Sequence, residues 1–279
     1  MKREGEKRWF FHDKPRQFFS EKNRGGIFYN QKGQVTLFII IAIIIAAAVV
    51  AVYFFFPGIF STLGGQEQNP NAFIQTCMED NIKEKVDMVS SQGGNLKPEF
   101  YFTYNDINIT YLCYTNENYK PCIVQQPLLQ NHIESEVQNG IEGEVKNCFN
   151  ELKSSFEGQG YAVTMKQGDI SVELLPQRVI STFNYTVTLT KAGETKRYES
   201  FSVVLNNNLY ELAGIAKSII EWEATYGDVD PRTYMTYYPD LKVEKNLRDD
   251  GTRIYILTDR NTKDKFQFAS RSLVFPPGH

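Results

Sequence analysis

Histidine is almost absent from this chain, with three in 279 residues (His12, His132 and His279), and cysteine is limited to four. No Gly-x-Ser-x-Gly, His-Glu-x-x-His, phosphate-loop or dinucleotide glycine pattern occurs anywhere. Recognisable serine hydrolases, zinc proteases and nucleotide-dependent enzymes are therefore excluded. No enzyme, cofactor or catalytic residue is expected. No cysteine precedes Cys77, no Cys-x-x-Cys pair exists, and His132 and His279 stand alone, which makes a zinc site a poor reading. No internal repeat is visible.

Charge is missing from one long stretch. Leu37 to Phe56 contains no charged residue and no amide. About 20 apolar residues at ~1.5 Å each span about 30 Å, the thickness of a bilayer's hydrocarbon layer. The sequence thus predicts a single-pass transmembrane helix over 34–56. A cleavable secretory signal would have a shorter leader and a shorter apolar core. Residues 1–33 carry nine Lys or Arg against four acids, and the remainder holds 21 basic and 29 acidic residues. Basic flanks stay inside. The expected localisation is the cell membrane, with a cytoplasmic N-terminal tail and an extracellular C-terminal domain. The tail interleaves its basic residues with Trp9, Phe10, Phe11, Phe18 and Phe19. It reads either as a disordered segment that sets topology or as one lying on anionic lipid. Nothing points to nucleic acid.

What is present on the outer side agrees. Cys77, Cys113, Cys122 and Cys148 all follow the apolar run. In an oxidising compartment an even count reads as two bridges, with three possible pairings. Turn formers between Cys113 and Cys122 (Asn116, Asn118, Pro121) favour that local pair. Cys77–Cys148 is what remains. Two acceptor sequons, at Asn108 and Asn184, are weakly consistent with an external location.

The outer region opens with a linker, 57–71. A helical, cysteine-bearing part follows over 72–157, with stripes through Ile74, Met78, Ile82, Val86 and Val89 and through Leu129, Ile133, Val137, Ile141, Val145 and Phe149. From 158 to 279 the pattern turns to strands. Val179 to Leu189 reads as one alternating strand, and a second passes through Phe201, Val203 and Leu205. A helix is expected over about 207–226, capped by Asn206 to Asn208. The fold class expected is α+β: a transmembrane helix, then an extracytoplasmic domain of two disulfide-linked helices and an antiparallel sheet with one further helix. Asp228 and Asp230, with Asp240, raise a calcium reading against the plainer one of helix capping and turn shaping. Asp259, Asn261 and Asp264 read as hairpin-turn residues. Tyr234, Tyr237 and Tyr238 raise an adhesive surface against ordinary strand tyrosines.

Lys32-Gly33-Gln34-Val35-Thr36-Leu37 resembles the class III signal peptides of archaeal type IV pilin-like proteins. That resemblance covers about residues 30–56. It implies prepilin-peptidase processing between Gly33 and Gln34. Many members carry Glu at the fifth mature position, where this chain has Phe38. The function expected is a membrane-anchored cell-surface protein with a non-catalytic interaction or scaffolding ectodomain. A pilin-like or pseudopilin subunit and an enzyme with an unrecognised site are the alternatives. Expected partners are membrane lipid, cell-surface proteins or a second copy of the chain.

Overall fold

The computed structural model describes residues 38–47 and 69–274. The chain divides into two units, Met1–Gln66 and Glu67–His279. In the first unit the described stretch 38–47 is helical.

The expected single-pass anchor is corrected. Among the described residues no helix is long and apolar enough to cross a membrane. The ten described helical residues, at ~1.5 Å each, cover about 15 Å, half a hydrocarbon layer. The flanks of the expected 34–56 span lie outside the described residues, as do Gly33, Gln34 and the tail.

The second unit is α+β, but with far more sheet than expected. Helix α1 (Pro70–Ser91) is capped by Asn69, whose side chain accepts from the Asn71 amide at 3.0 Å, with Pro70 at the first helical position. Its stripe, Ile74 to Val89 at three- and four-residue spacing, is buried against the stripe of α2 (Leu129–Gly158). Cys77 and Cys148 join the two helices, Cα to Cα 6.1 Å.

Between these helices lie β1 (Tyr101–Tyr104), β2 (Ile107–Tyr114) and β3 (Ile123–Val124). Cys113 and Cys122 close the β2–β3 connection, Cα to Cα 5.3 Å. At the other end of the unit, β10 (Leu241–Leu247), β11 (Thr252–Asp259) and β12 (Lys265–Arg271) form a meander. The two groups unite in one six-stranded sheet of order β1-β2-β12-β11-β10, with β3 also paired to β2. The β2–β12 pair is parallel, so the sheet is mixed rather than antiparallel. Short strands rich in Tyr, Asn and Thr hid β1 and β2. Pairing across some 150 residues of chain has no local signature.

The strand expected over Val179 to Leu189 is two strands. β6 (Arg178–Phe183) pairs with β5 (Ile170–Leu175) and β9 (Phe201–Asn206). β7 (Thr186–Lys191) pairs with β4 (Ala162–Lys166) and β8 (Glu194–Tyr198). All three arms break at the same level, so the two three-stranded sheets are halves of one ribbon interrupted by a kink. Asn184 bridges the kink by donating its amide to the Asp169 carbonyl at 2.9 Å. A Cβ on Gly168 would lie 1.9 Å from the Asn184 carbonyl oxygen, so only glycine fits there. Alternation alone cannot show this kink, because it runs on through Tyr185, which is buried and stacked on Phe149 at 4.1 Å.

Helix α3 (Leu209–Tyr226) packs its buried stripe on β11 and β12. The Asn207 side chain accepts from the Leu209 amide at 2.9 Å, and Asp264 accepts from the Asn208 amide, also at 2.9 Å. A short fourth helix, α4 (Pro231–Tyr237), follows where only turns were expected.

Candidate binding cleft

The end of α3 determines the local chemistry. Its buried positions run Leu209, Leu212, Ala213, Ala216, Ile219, Ile220, Glu223. Glu223 is in phase with the stripe and is fully buried. Its neighbour Trp222 faces outward and is 50% exposed. The usual preference, aromatic inside and acid outside, is inverted over these two residues.

Glu223 keeps its place because donors surround it. Arg253 Nη1 lies 3.1 Å from its Oε2, the Tyr255 hydroxyl donates to Oε1, and Ser270 Oγ donates at 3.4 Å. Arg253 also donates to the Ser272 carbonyl at 3.1 Å. Burial pushes the Glu223 carboxyl up from its ordinary value, while Arg253 and the Tyr255 hydroxyl pull it back. Burial and the adjacent carboxylate both push the Tyr255 hydroxyl far up. Ser270 Oγ also lies 3.7 Å from Cys122 Sγ, so the Cys113–Cys122 bridge packs against this network.

Gly227 then stops the helix with φ of 81° and donates to the Glu223 carbonyl at 2.9 Å. A Cβ there would sit 1.9 Å from Val274 Cγ2. The chain turns outward through Asp228, which pairs with Lys245 and, at 3.3 Å, with Arg253 Nε. Asp230 caps α4 by accepting from the Arg232 amide at 2.9 Å, and it pairs with the Arg232 guanidinium at 2.7 Å. These bonds to Arg232 hold the Asp230 carboxyl down at about 2.

The turn brings α4 beside the C-terminal half of α3, leaving a cleft of about 700 Å³ between them. That is within the ~300–1,000 Å³ typical of ligand sites. Trp222, Tyr237 and Tyr238 line it, and Tyr237 is 78% exposed. Tyr226 backs Trp222 at 4.7 Å between ring centroids. Tyr234 forms a buried wall, its hydroxyl 2.8 Å from Ser218 Oγ. Asp228, Asp230 and Thr233 supply the polar lining.

The residues singled out in sequence fall in several places. Tyr234, Tyr237, Tyr238, Asp228 and Asp230 come together in the cleft. Asp240 does not join them; it borders a separate polar pocket with Asn206 and Asp259. Among the described residues no group of three or more His, Cys, Asp or Glu could hold a metal ion. Asp259 accepts from the amides of Asn261 and Thr262, shaping the β11–β12 turn. Of the sequon residues, Asn108 is half-buried in β2 and accepts from Thr103 Oγ1, while Asn184 stands exposed at the kink. Glu223, Arg253 and Tyr255 were not anticipated. The signal was there, since an acid in phase with an apolar stripe must find buried donors.

No family model, no curated protein and no solved structure matches this chain.

Proposed function

We propose that the unit Glu67–His279 is a non-catalytic interaction domain of an oxidising, extracytoplasmic compartment, and that the α3–α4 cleft is its binding face. The observation that carries this reading is the set of exposed rings, Trp222, Tyr226, Tyr237 and Tyr238, gathered around one cleft. Scattered surface aromatics need no explanation, but a cluster against a concavity is how recognition sites are built. Tyr and Trp are enriched at such sites because each combines a large apolar face with a polar handle. The two disulfides support the choice of compartment, since such bridges persist where thiols oxidise. The network behind the cleft supports a scaffold rather than a reaction centre. Glu223 is buried and does not line the cleft, and Arg253 pairs with both it and Asp228.

The test compares the full chain with its Trp222→Ala/Tyr237→Ala variant for retention on the envelope of its own cells, with thiol content measured alongside. Retention of the parent, its loss in the variant and no free thiols are the expected results. Equal retention of both proteins would refute the cleft as the binding face.

A further inference from the structure

Resting on that reading, we infer that the cleft takes a neutral carbohydrate: a pyranose chain whose ring faces lie on Trp222 and Tyr237 and whose hydroxyls meet the polar lining. Charge is the first argument. The two charged residues that line the cleft are each matched, Asp228 by Lys245 and Arg253 and Asp230 by Arg232. A charged ligand finds no unmatched counter-charge in this lining, whereas a neutral one leaves the pairs in place.

Hydrogen-bonding type is the second argument. The lining mixes carboxylates, which only accept, with the hydroxyls of Thr233, Tyr237 and Tyr238, which both donate and accept. The Asp228 and Asp230 side chains are 44% and 48% exposed, so lone pairs remain accessible beside their ion pairs. Sugar hydroxyls supply donors and acceptors at close spacing and suit both kinds of group. A proline-rich peptide also stacks on tyrosine and tryptophan, but proline has no N–H to offer two carboxylates.

The third argument is rigidity. The cleft walls are helices, fixed by the left-handed Gly227, the Asp230 cap and the Tyr234–Ser218 bond. Preorganised aromatics lose little conformational freedom when they bind.

Trp9 and Trp222 are the two tryptophans of the chain, so the full-length Trp9→Phe protein carries Trp222 as its single indole reporter. It is titrated with a series of neutral hexose and N-acetylhexosamine oligosaccharides, with sulfated oligosaccharides, and with a proline-rich peptide. The inference expects a saturable shift of Trp222 emission with a neutral oligosaccharide. Adding Tyr237→Ala should weaken it by about 30-fold, the effect of a hot-spot aromatic. Salt near 1 M should change affinity by no more than about twofold, because no net charge is engaged. A shift with only the peptide or the sulfated glycans overturns the neutral-carbohydrate class while leaving the binding face intact. No shift with any probe overturns the carbohydrate inference; the envelope-retention comparison separately decides the binding reading. Neutral-glycan binding that survives Tyr237→Ala unchanged overturns the placement in this cleft.

Discussion

The α1–α2 pair and the α3–α4 end of the molecule obey opposite rules. On α1 and α2 the apolar stripes are buried and charged residues such as Lys83, Asp87, Glu142 and Lys146 pair at the surface. At the end of α3 an acid is buried and a tryptophan is exposed. The first arrangement follows from burying apolar area and calls for nothing else. The second buries a carboxylate that needs Arg253, Tyr255 and Ser270 to hold it, and leaves large rings in water. Stability alone does not produce that pattern.

The comparison breaks most decisively at Glu223. Glu223→Ala strands Arg253 without its buried partner and should cost about 3–5 kcal/mol, read by urea unfolding. A cost below about 1 kcal/mol would mean that the network carries no structural weight. On the α1–α2 side the equivalent fastener is covalent. Cys77→Ala/Cys148→Ala opens a loop of sequence separation 71 and should lose about 4 kcal/mol on the chain-entropy account. Removing Cys113–Cys122, of separation 9, should lose about 3 kcal/mol. Gly227→Ala puts a side chain at φ of 81° and against Val274, and should cost at least about 1–2 kcal/mol.

Two carboxylates seven positions apart sharpen the contrast through pH. The folded Glu223 value is raised by burial, so the native state holds more protons than the unfolded chain just above the ordinary Glu range. Stability therefore falls as pH climbs through that window, and Glu223→Gln should remove the slope. The folded Asp230 value is lowered from 3.8 to about 2 by its bonds to Arg232. Its contribution is complete above 3.8 and is lost as pH falls toward 2. Asp230→Asn should flatten that acid limb, measured by thermal unfolding across pH.

How much was legible in sequence follows the same divide. Ile74, Met78, Ile82, Val86 and Val89 repeat at a helical period because one face of α1 is dry, and their spacing places the helix directly. The kink at Gly168 and Asn184 leaves alternation intact, so two strands read as one. The parallel β2–β12 pairing depends on the finished sheet and has no local trace. In the site, Tyr234, Tyr237, Tyr238, Asp228 and Asp230 were noticed as separate features. The turn at Gly227 that gathers them was read only as a helix end. The long apolar run was the loudest feature of the sequence, yet among the described residues it yields only the helical stretch 38–47.

If the rings of the α3–α4 cleft are exposed for binding and not for folding, removing them leaves stability nearly unchanged. Urea unfolding of the Trp222→Ala/Tyr237→Ala variant tests this most directly. The predicted change is about 1 kcal/mol or less for the pair, as for surface residues outside the packed core. A loss of 3 kcal/mol or more, about the size of the Glu223 effect, would contradict it and make the cleft's aromatics part of the scaffold.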